Sequence, residues 1–259
     1  MSFSIAASDF DGTLFRNQKI SAEDFAAIQA WRAAGNKFGI VTGRAFVMLE
    51  PHLKAFGLDV DFNICDNGAI IYDSRGEVIF ETELPKKILA DIMNEPCARK
   101  SFHFAFETAD EIFCAEVQEN SWVLRESKNL VFPVTIIDAA QIETLPKKIN
   151  QLALDFATPE EAQTAASIIN ARFGTQIFAQ KNTHSVDIVT AGINKAQGVE
   201  NLLRVMDWRG KVFVIGDESN DLPMIKKFGG YTVATAKDFV KREVRGVFDS
   251  VGAMLNNFR

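Results

Sequence analysis

Tyrosine is nearly absent from this chain of 259 residues, with 2 tyrosines against 22 phenylalanines. Core packing accounts for most phenylalanine, so the imbalance points to buried surface rather than to a special aromatic device. Cysteine and histidine are sparse too, three of each. Cys65, Cys97 and Cys114 are odd in number and far apart, which argues against a disulfide framework and fits a reducing cytoplasm. His52, His103 and His184 are equally scattered, leaving a histidine zinc site without support. No apolar run approaches the roughly 18 residues needed to span a bilayer. The start lacks a basic stretch and soon meets Asp9 and Asp11, so no signal peptide is expected. Positive charge is in deficit, with 28 Lys and Arg against 34 Asp and Glu and a formal charge of −6. Such a chain has no global attraction for nucleic acid or an anionic membrane, and neither is expected as a partner. The Gly-x4-Gly-Lys-Ser/Thr loop of P-loop kinases is missing, as are internal repeats and Ser/Gly-rich linkers. What remains is an ordinary globular composition, 47% hydrophobic and 24% charged, long enough for one large domain or two smaller ones.

The hydrophobic pattern gives the order of elements. Ile5–Asp9 reads as a short buried strand ending at Gly12-Thr13. Ser21-Ala-Glu-Asp24 resembles a capping box; Phe25, Ile28 and Trp31 follow at helical spacing, and Gly35 is a stop. Lys37–Val41 is the next strand, Phe46 to about Ala55 a helix, and Val60–Cys65 a third strand. Strand, helix, strand, helix, strand implies parallel strands with crossover helices. Ala69–Tyr72 and Glu77–Phe80, joined by Asp73-Ser-Arg-Gly76, read as a hairpin. From about Leu84 to Val186 short strands and helices mix. Thr158-Pro-Glu-Glu161 opens a helix that runs to Phe173 and stops at Gly174. Phe102, Phe104 and Phe106 alternate as a half-buried strand would, and Lys181–His184 reads as an exposed hairpin turn. The first style then returns: a helix over Asn194–Met206, a strand over Lys211–Ile215, a short helix over Leu222–Phe228, and a final strand within Gly229–Ala234. The expected fold is α/β: a Rossmann-like parallel-sheet core from residues 1–83 and 187–259, with an inserted α+β domain over 84–186.

Three polar clusters fall at expected strand carboxyl ends: Asp9-Phe-Asp11-Gly-Thr13, Thr42-Gly43-Arg44, and Gly216-Asp217-Glu-Ser-Asn220-Asp221. Ligands of open parallel sheets bind outside those ends, so distant clusters can converge. On an extended chain Asp9 and Asp11 would point the same way, one serving as an ionised nucleophile and the other as a protonated acid. A surface turn before Gly12 explains the pair equally well in isolation. Four aspartates in one crevice, with Asp217 and Asp221 added, would repel without a cation, and hard oxygen ligands suit Mg²⁺. The alternative is a capped loop whose Asp and Asn satisfy the free N–H groups opening the next helix. Thr42-Gly43 could hold a phosphate or be a plain turn. Lys195, alone, could be a solvated surface charge.

Taken together and in this order, Asp-x-Asp-Gly-Thr, Thr-Gly-Arg, Lys and Gly-Asp-x-x-Asn-Asp resemble the haloacid dehalogenase-like phosphotransferase superfamily. Asp66-Asn-Gly-Ala69 and the insert before Lys195 resemble its Cof-like phosphatase branch, which carries a type II α/β cap. The resemblance implies a Mg²⁺-dependent phosphatase of small phosphorylated metabolites such as sugar phosphates. It implies that Asp9 is the nucleophile forming an aspartyl-phosphate, that Asp11 is the acid and then the base, and that Thr42, Gly43, Lys195 and Asn220 surround the phosphate. It assigns metal binding to Asp9, Asp11 and Asp217 with Asp221 in support, and leaves Arg44, Asn67 and His184 as candidate substrate contacts. The expected protein is cytoplasmic, on the ground of its cysteines and its start, and a monomer or weak homo-oligomer. An acid working near neutral pH would need Asp11 shifted up about 3 units, to which Asp9 and partial burial could contribute. The family often has Asn-Ala after its last core strand; here the stretch reads Val233-Ala-Thr-Ala236. A phosphomutase of the same superfamily would differ by returning the phosphoryl group to substrate. A phospho-accepting signalling module would be far shorter and uncapped, and a catalytically dead binder would not need intact Asp9, Asp11, Lys195 and Asp217.

Overall fold

The computed structural model describes residues 3–130 and 132–259; Met1 and Ser2, where the segment read for a leader begins, lie outside them. In chain order the first half comprises β1 Ser4–Ser8, α1 Ala22–Ala33, β2 Lys37–Val41, α2 Phe46–Phe56, β3 Phe62–Cys65, β4 Ile70–Asp73, β5 Val78–Glu81, α3 Lys86–Met93, β6 Phe104–Glu107, β7 Ile112–Ala115 and α4 Trp122–Leu130. There follow β8 Val134–Ile136, β9 Gln151–Asp155, α5 Pro159–Phe173, β10 Ile177–Asn182, β11 Ser185–Thr190, α6 Lys195–Val205, β12 Lys211–Ile215, α7 Leu222–Phe228, β13 Thr232–Val233, α8 Asp238–Lys241, β14 Val247–Phe248 and α9 Val251–Phe258. No helix among the described residues is long and apolar enough to cross a membrane.

The chain forms two compact units. The first gathers Met1–Thr42, Ala55–Phe80 and Asn194–Arg259. Its six-stranded sheet has the order β12-β1-β2-β3-β4-β5. β12, β1, β2 and β3 run parallel, as the alternation of strands and helices requires, and β4 turns back antiparallel to β3. β1 is made of small residues because helices cover both faces of a parallel sheet, and Ile5, Ala6, Ala7 and Ser8 are all buried. Ile5, Ala7, Ile64 and Val214 of the sheet pack with Val199 and Leu202 of α6. Ser21 caps α1 as its capping-box reading expects, and Asn194 on α6 and Ser250 on α9 likewise accept from a backbone N–H of the first turn. The final strand is only Thr232–Val233, and it pairs parallel with β14 in a separate two-stranded ribbon.

The second unit gathers Gly43–Lys54 and Glu81–Ile193, around a mixed sheet of order β10-β11-β9-β6-β7-β8. The division read from the sequence differs at its edges. Ser185–Thr190 is one continuous strand between β9 and β10, so a boundary at 186/187 would cut it, and Gly43–Lys54 groups with the insert. The half-buried strand expected around Phe104 is buried on both faces. Phe104 and Phe106 meet Leu152, Leu154 and the Ala162–Ile169 side of α5. Ala105, on the other face, packs with Ala45, Met48 and Val123. Lys181–His184 is the β10–β11 turn, with His184 exposed.

Candidate active site

β1 ends at Ser8, and the Asp9 N–H donates to the Ile215 carbonyl at the end of β12, 2.9 Å away. The carboxyl ends of the neighbouring strands β1 and β12 are thereby locked side by side. Beyond Asp9 the chain turns at once: Leu14 and Phe15 N–H both donate to the Phe10 carbonyl, and Gly12 N–H donates to Phe15. Strand alternation therefore does not govern the Asp9–Asp11 pair. Asp9 is buried and Asp11 exposed, so the partial burial expected of Asp11 is absent. Gly12 sits at φ +83°, and a Cβ there would fall 2.5 Å from Asp217 Oδ2. Thr13 is buried, and its hydroxyl donates to Asp217 Oδ1 at 2.5 Å. The site reading passed over Thr13; its place in the same five-residue run as Asp9 was the available signal.

Lys195 opens α6 and is 1% exposed. Its Nζ donates to Asp9 Oδ1 and to Asp221 Oδ1, both at 2.7 Å. The other Asp221 oxygen accepts from the backbone N–H of Asp217 and of Glu218, each at 2.9 Å. Asp221 thus ties the loop before it and holds Lys195, while its side chain makes no cap on the helix that opens at Leu222. The Asp66–Gly68 turn lies directly against the first turn of α6. Gly68, at φ +105°, would put a Cβ 3.2 Å from the Gly198 N–H and closer still to the Asn194 carbonyl, so only glycine lets this turn approach Lys195.

One oxygen from each of Asp9, Asp217 and Asp221 lies within 4.8 Å of the others. Three carboxylates face one ammonium, an excess of two negative charges. Burial, then the Asp221 charge, pushes the Asp9 carboxyl well above the usual range, although Lys195 opposes this. Burial also raises Asp217, against the hydrogen bond from Thr13. Burial alone would lower the Lys195 ammonium; the charges of Asp221 and Asp9 outweigh it and raise it. Such a cluster keeps Lys195 charged but makes a fully ionised Asp9 costly. A hard divalent cation supplies the missing charge, and the all-oxygen donor set fits one.

A second chain of contacts ties in three more of the sequence candidates. Thr42 is buried at the end of β2, and its carbonyl accepts from Asn67 N–H at 3.0 Å. Asn67, in a left-handed conformation with φ +53°, accepts through Oδ1 from Asn220 Nδ2 at 3.1 Å. The remaining candidates belong to the second unit. There Gly43 accepts from Gln151 Nε2 at 2.9 Å, Arg44 pairs with Glu126 at 3.1 Å, and His184 is exposed in its turn.

Residues 6–252 match the family described as haloacid dehalogenase-like hydrolase. Among curated proteins, the chain is 23% identical over 246 residues to an HMP-PP phosphatase of Yersinia pseudotuberculosis, covering 93% of this chain and 88% of that protein. It is 22% identical over 240 residues to the 5-amino-6-(5-phospho-D-ribitylamino)uracil phosphatase of Escherichia coli, covering 88% of this chain and 84% of that one. Among solved structures it resembles a sugar phosphatase of haloacid dehalogenase subclass IIB with a TM-score of 0.78 and 22% identity, over 98% of each chain.

Proposed function

We propose, from the premise that this chain belongs to the haloacid dehalogenase-like hydrolases in their Cof-like branch, that it is a Mg²⁺-dependent phosphatase of small phosphorylated metabolites, sugar phosphates among them. The observation that carries the reading is the buried convergence of Asp9, Lys195, Asp217 and Asp221 from opposite ends of the chain, with negative charge in excess. Asp9 attacks phosphorus through its carboxylate, forming an aspartyl-phosphate as the bond to the leaving oxygen breaks, which divides one hard displacement into two easier ones. Asp11 protonates that leaving oxygen and then takes a proton from the water that attacks the intermediate. Lys195, fixed by Asp221, holds positive charge against the phosphoryl oxygens, and Thr42, Gly43 and Asn220 complete the cradle. Mg²⁺ would be held by the Asp9 and Asp217 carboxylates and the Asp11 carbonyl, and supplies charge to the transferring group.

The fully hydrogen-bonded oxygens of Asp221 favour a supporting part for it. The second unit helps select the substrate, with Arg44 and His184 of that unit and Asn67 of the first as candidate contacts. By their names the relatives act on HMP-PP and on 5-amino-6-(5-phospho-D-ribitylamino)uracil, and the structural neighbour is a sugar phosphatase, which supports a small phosphorylated compound without choosing among them. Cys65, Cys97 and Cys114 are free thiols, in keeping with a cytoplasmic enzyme. The test is phosphate release from a panel of sugar and nucleotide phosphates. Turnover should vanish with chelator, return with Mg²⁺, and respond weakly to Mg²⁺ in Asp217→Asn; full turnover in excess chelator contradicts the reading.

A further inference from the structure

The turn that bears Asp11 is anchored by a buried ionic link that the proposed chemistry does not use. Phe15 accepts the Gly12 N–H at 3.0 Å, so the position of Phe15 sets that of the Asp11–Thr13 turn. The next residue, Arg16, begins a two-residue hairpin closed by reciprocal Arg16–Lys19 backbone bonds of 3.0 and 3.1 Å. Its guanidinium is half-buried and turned toward the chain. Nη1 donates to the Asp249 carbonyl at 2.8 Å, and Nη2 reaches Asp24 Oδ2 at 3.5 Å. Asp24 is fully buried in the first turn of α1. It also accepts from Ser21 Oγ at 2.7 Å and from the Gly252 N–H of α9 at 2.6 Å. Gly252 packs so closely that a Cβ would lie 3.0 Å from Asp24 Cα. Arg16 and Asp24 also wall a cavity of about 440 Å³ that reaches Gly12 and Asp217. The cavity leaves the turn room to move, so its position depends on the grip of Arg16 and Asp24.

We infer that Asp24 and Arg16 are positioning residues for the proton-transfer step: they clamp the Asp11 turn to the start of the C-terminal helix. The inference rests on the proposed role of Asp11. A displaced turn leaves Asp9, Lys195 and Asp221 in place, because those are held by β1, β12 and α6, but it carries with it the Asp11 carbonyl and Thr13, the partner of Asp217. The loss should therefore reach both substrates through the metal site and fall more heavily on the one that also needs a proton.

The experiment compares kcat and KM for a sugar phosphate and an aryl phosphate in Arg16→Ala, Arg16→Lys, Asp24→Asn and Asp11→Asn. A misplacement of about 1 Å can cost about 100-fold. Arg16→Ala and Asp24→Asn should lower kcat for the sugar phosphate about 10- to 100-fold, with a clearly smaller loss on the aryl phosphate. Arg16→Lys should recover part of the loss, and Arg16→Ala should widen the gap between the substrates no further in an Asp11→Asn background. Equal losses on both substrates, or none, overturn the inference, and the Arg16 variants decide the matter if Asp24→Asn does not fold. Should Asp11→Asn itself fail to separate the two substrates, the role of Asp11 is what fails; should it separate them while Arg16→Ala does not, only the clamp fails.

Discussion

His103 sets how the second unit responds to acid. The residue precedes β6 and is fully buried. Its Nδ1 shares a hydrogen bond of 2.9 Å with Ser121 Oγ, its ring meets Trp122 edge-on at 5.2 Å, and its Nε2 has no partner. A charged imidazole there would lose its hydration with nothing in exchange, so burial pushes its pKa down from 6.5 to about 3. The folded protein binds this proton more weakly than the unfolded chain does. The stability linked to His103 is thus complete above about pH 6.5 and drains away as pH falls toward 3. The full difference is on the order of 5 kcal/mol, of which about 2 kcal/mol is lost by about pH 5. His103→Gln cannot take up the proton and can still bond to Ser121. Urea unfolding of both proteins at about pH 7.5 and about pH 5, followed by tryptophan fluorescence, measures the gap between them. The wild type should lose about 2 kcal/mol relative to the variant on acidification. A gap that does not move with pH refutes the burial argument.

Gly12→Ala should cost about 100-fold or more in phosphate release and weaken Mg²⁺ binding by calorimetry, because the new methyl lands on Asp217 while φ is +83°; near-normal turnover would mean that the turn is free to shift. Asn17 and Gln18 both sit in left-handed conformations, at φ 52° and 59°, in the hairpin after the Asp11 turn. Gln18→Gly should stabilise the protein by about 1 kcal/mol in thermal unfolding, since glycine adopts that conformation without strain; a lower melting temperature would contradict this.

Much of the first unit was legible because its signals are local. The cap at Ser21, the helix after Asn194, the apolar run Lys211–Ile215 and the helix over Leu222–Phe228 all fall where the pattern puts them. Asp9, Asp217 and Asp221 stand out through the rule that ligands gather at the carboxyl ends of parallel strands, whereas Lys195 enters only through the resemblance of the motifs taken together. What escaped depends on contacts distant in sequence. Phe104 and Phe106 alternate with Ala105, yet Ala105 is covered by Ala45, Met48 and Val123, so alternation with a small residue did not mean an open face. The exposure of Asp11 follows from the turn at Phe10, a matter of backbone hydrogen bonds that no residue pattern announces. β14 is two residues long and exists only through its pairing with β13. The grouping of Gly43–Lys54 with the insert likewise rests on packing at Ala45 and Met48.

The central claim is that Asp9 carries the phosphoryl group between substrate and water. Asp11→Asn removes the base for the second step while a good leaving group still permits the first, so the intermediate should build up. The direct measurement is rapid mixing of Asp11→Asn with an aryl phosphate, acid quench, and mass analysis of the peptide that contains Asp9. The account predicts a burst of aryl alcohol with one phosphoryl group on Asp9, and neither in Asp9→Asn. Substantial turnover by Asp9→Asn, or a burst with no phosphoryl group on that peptide, would contradict it.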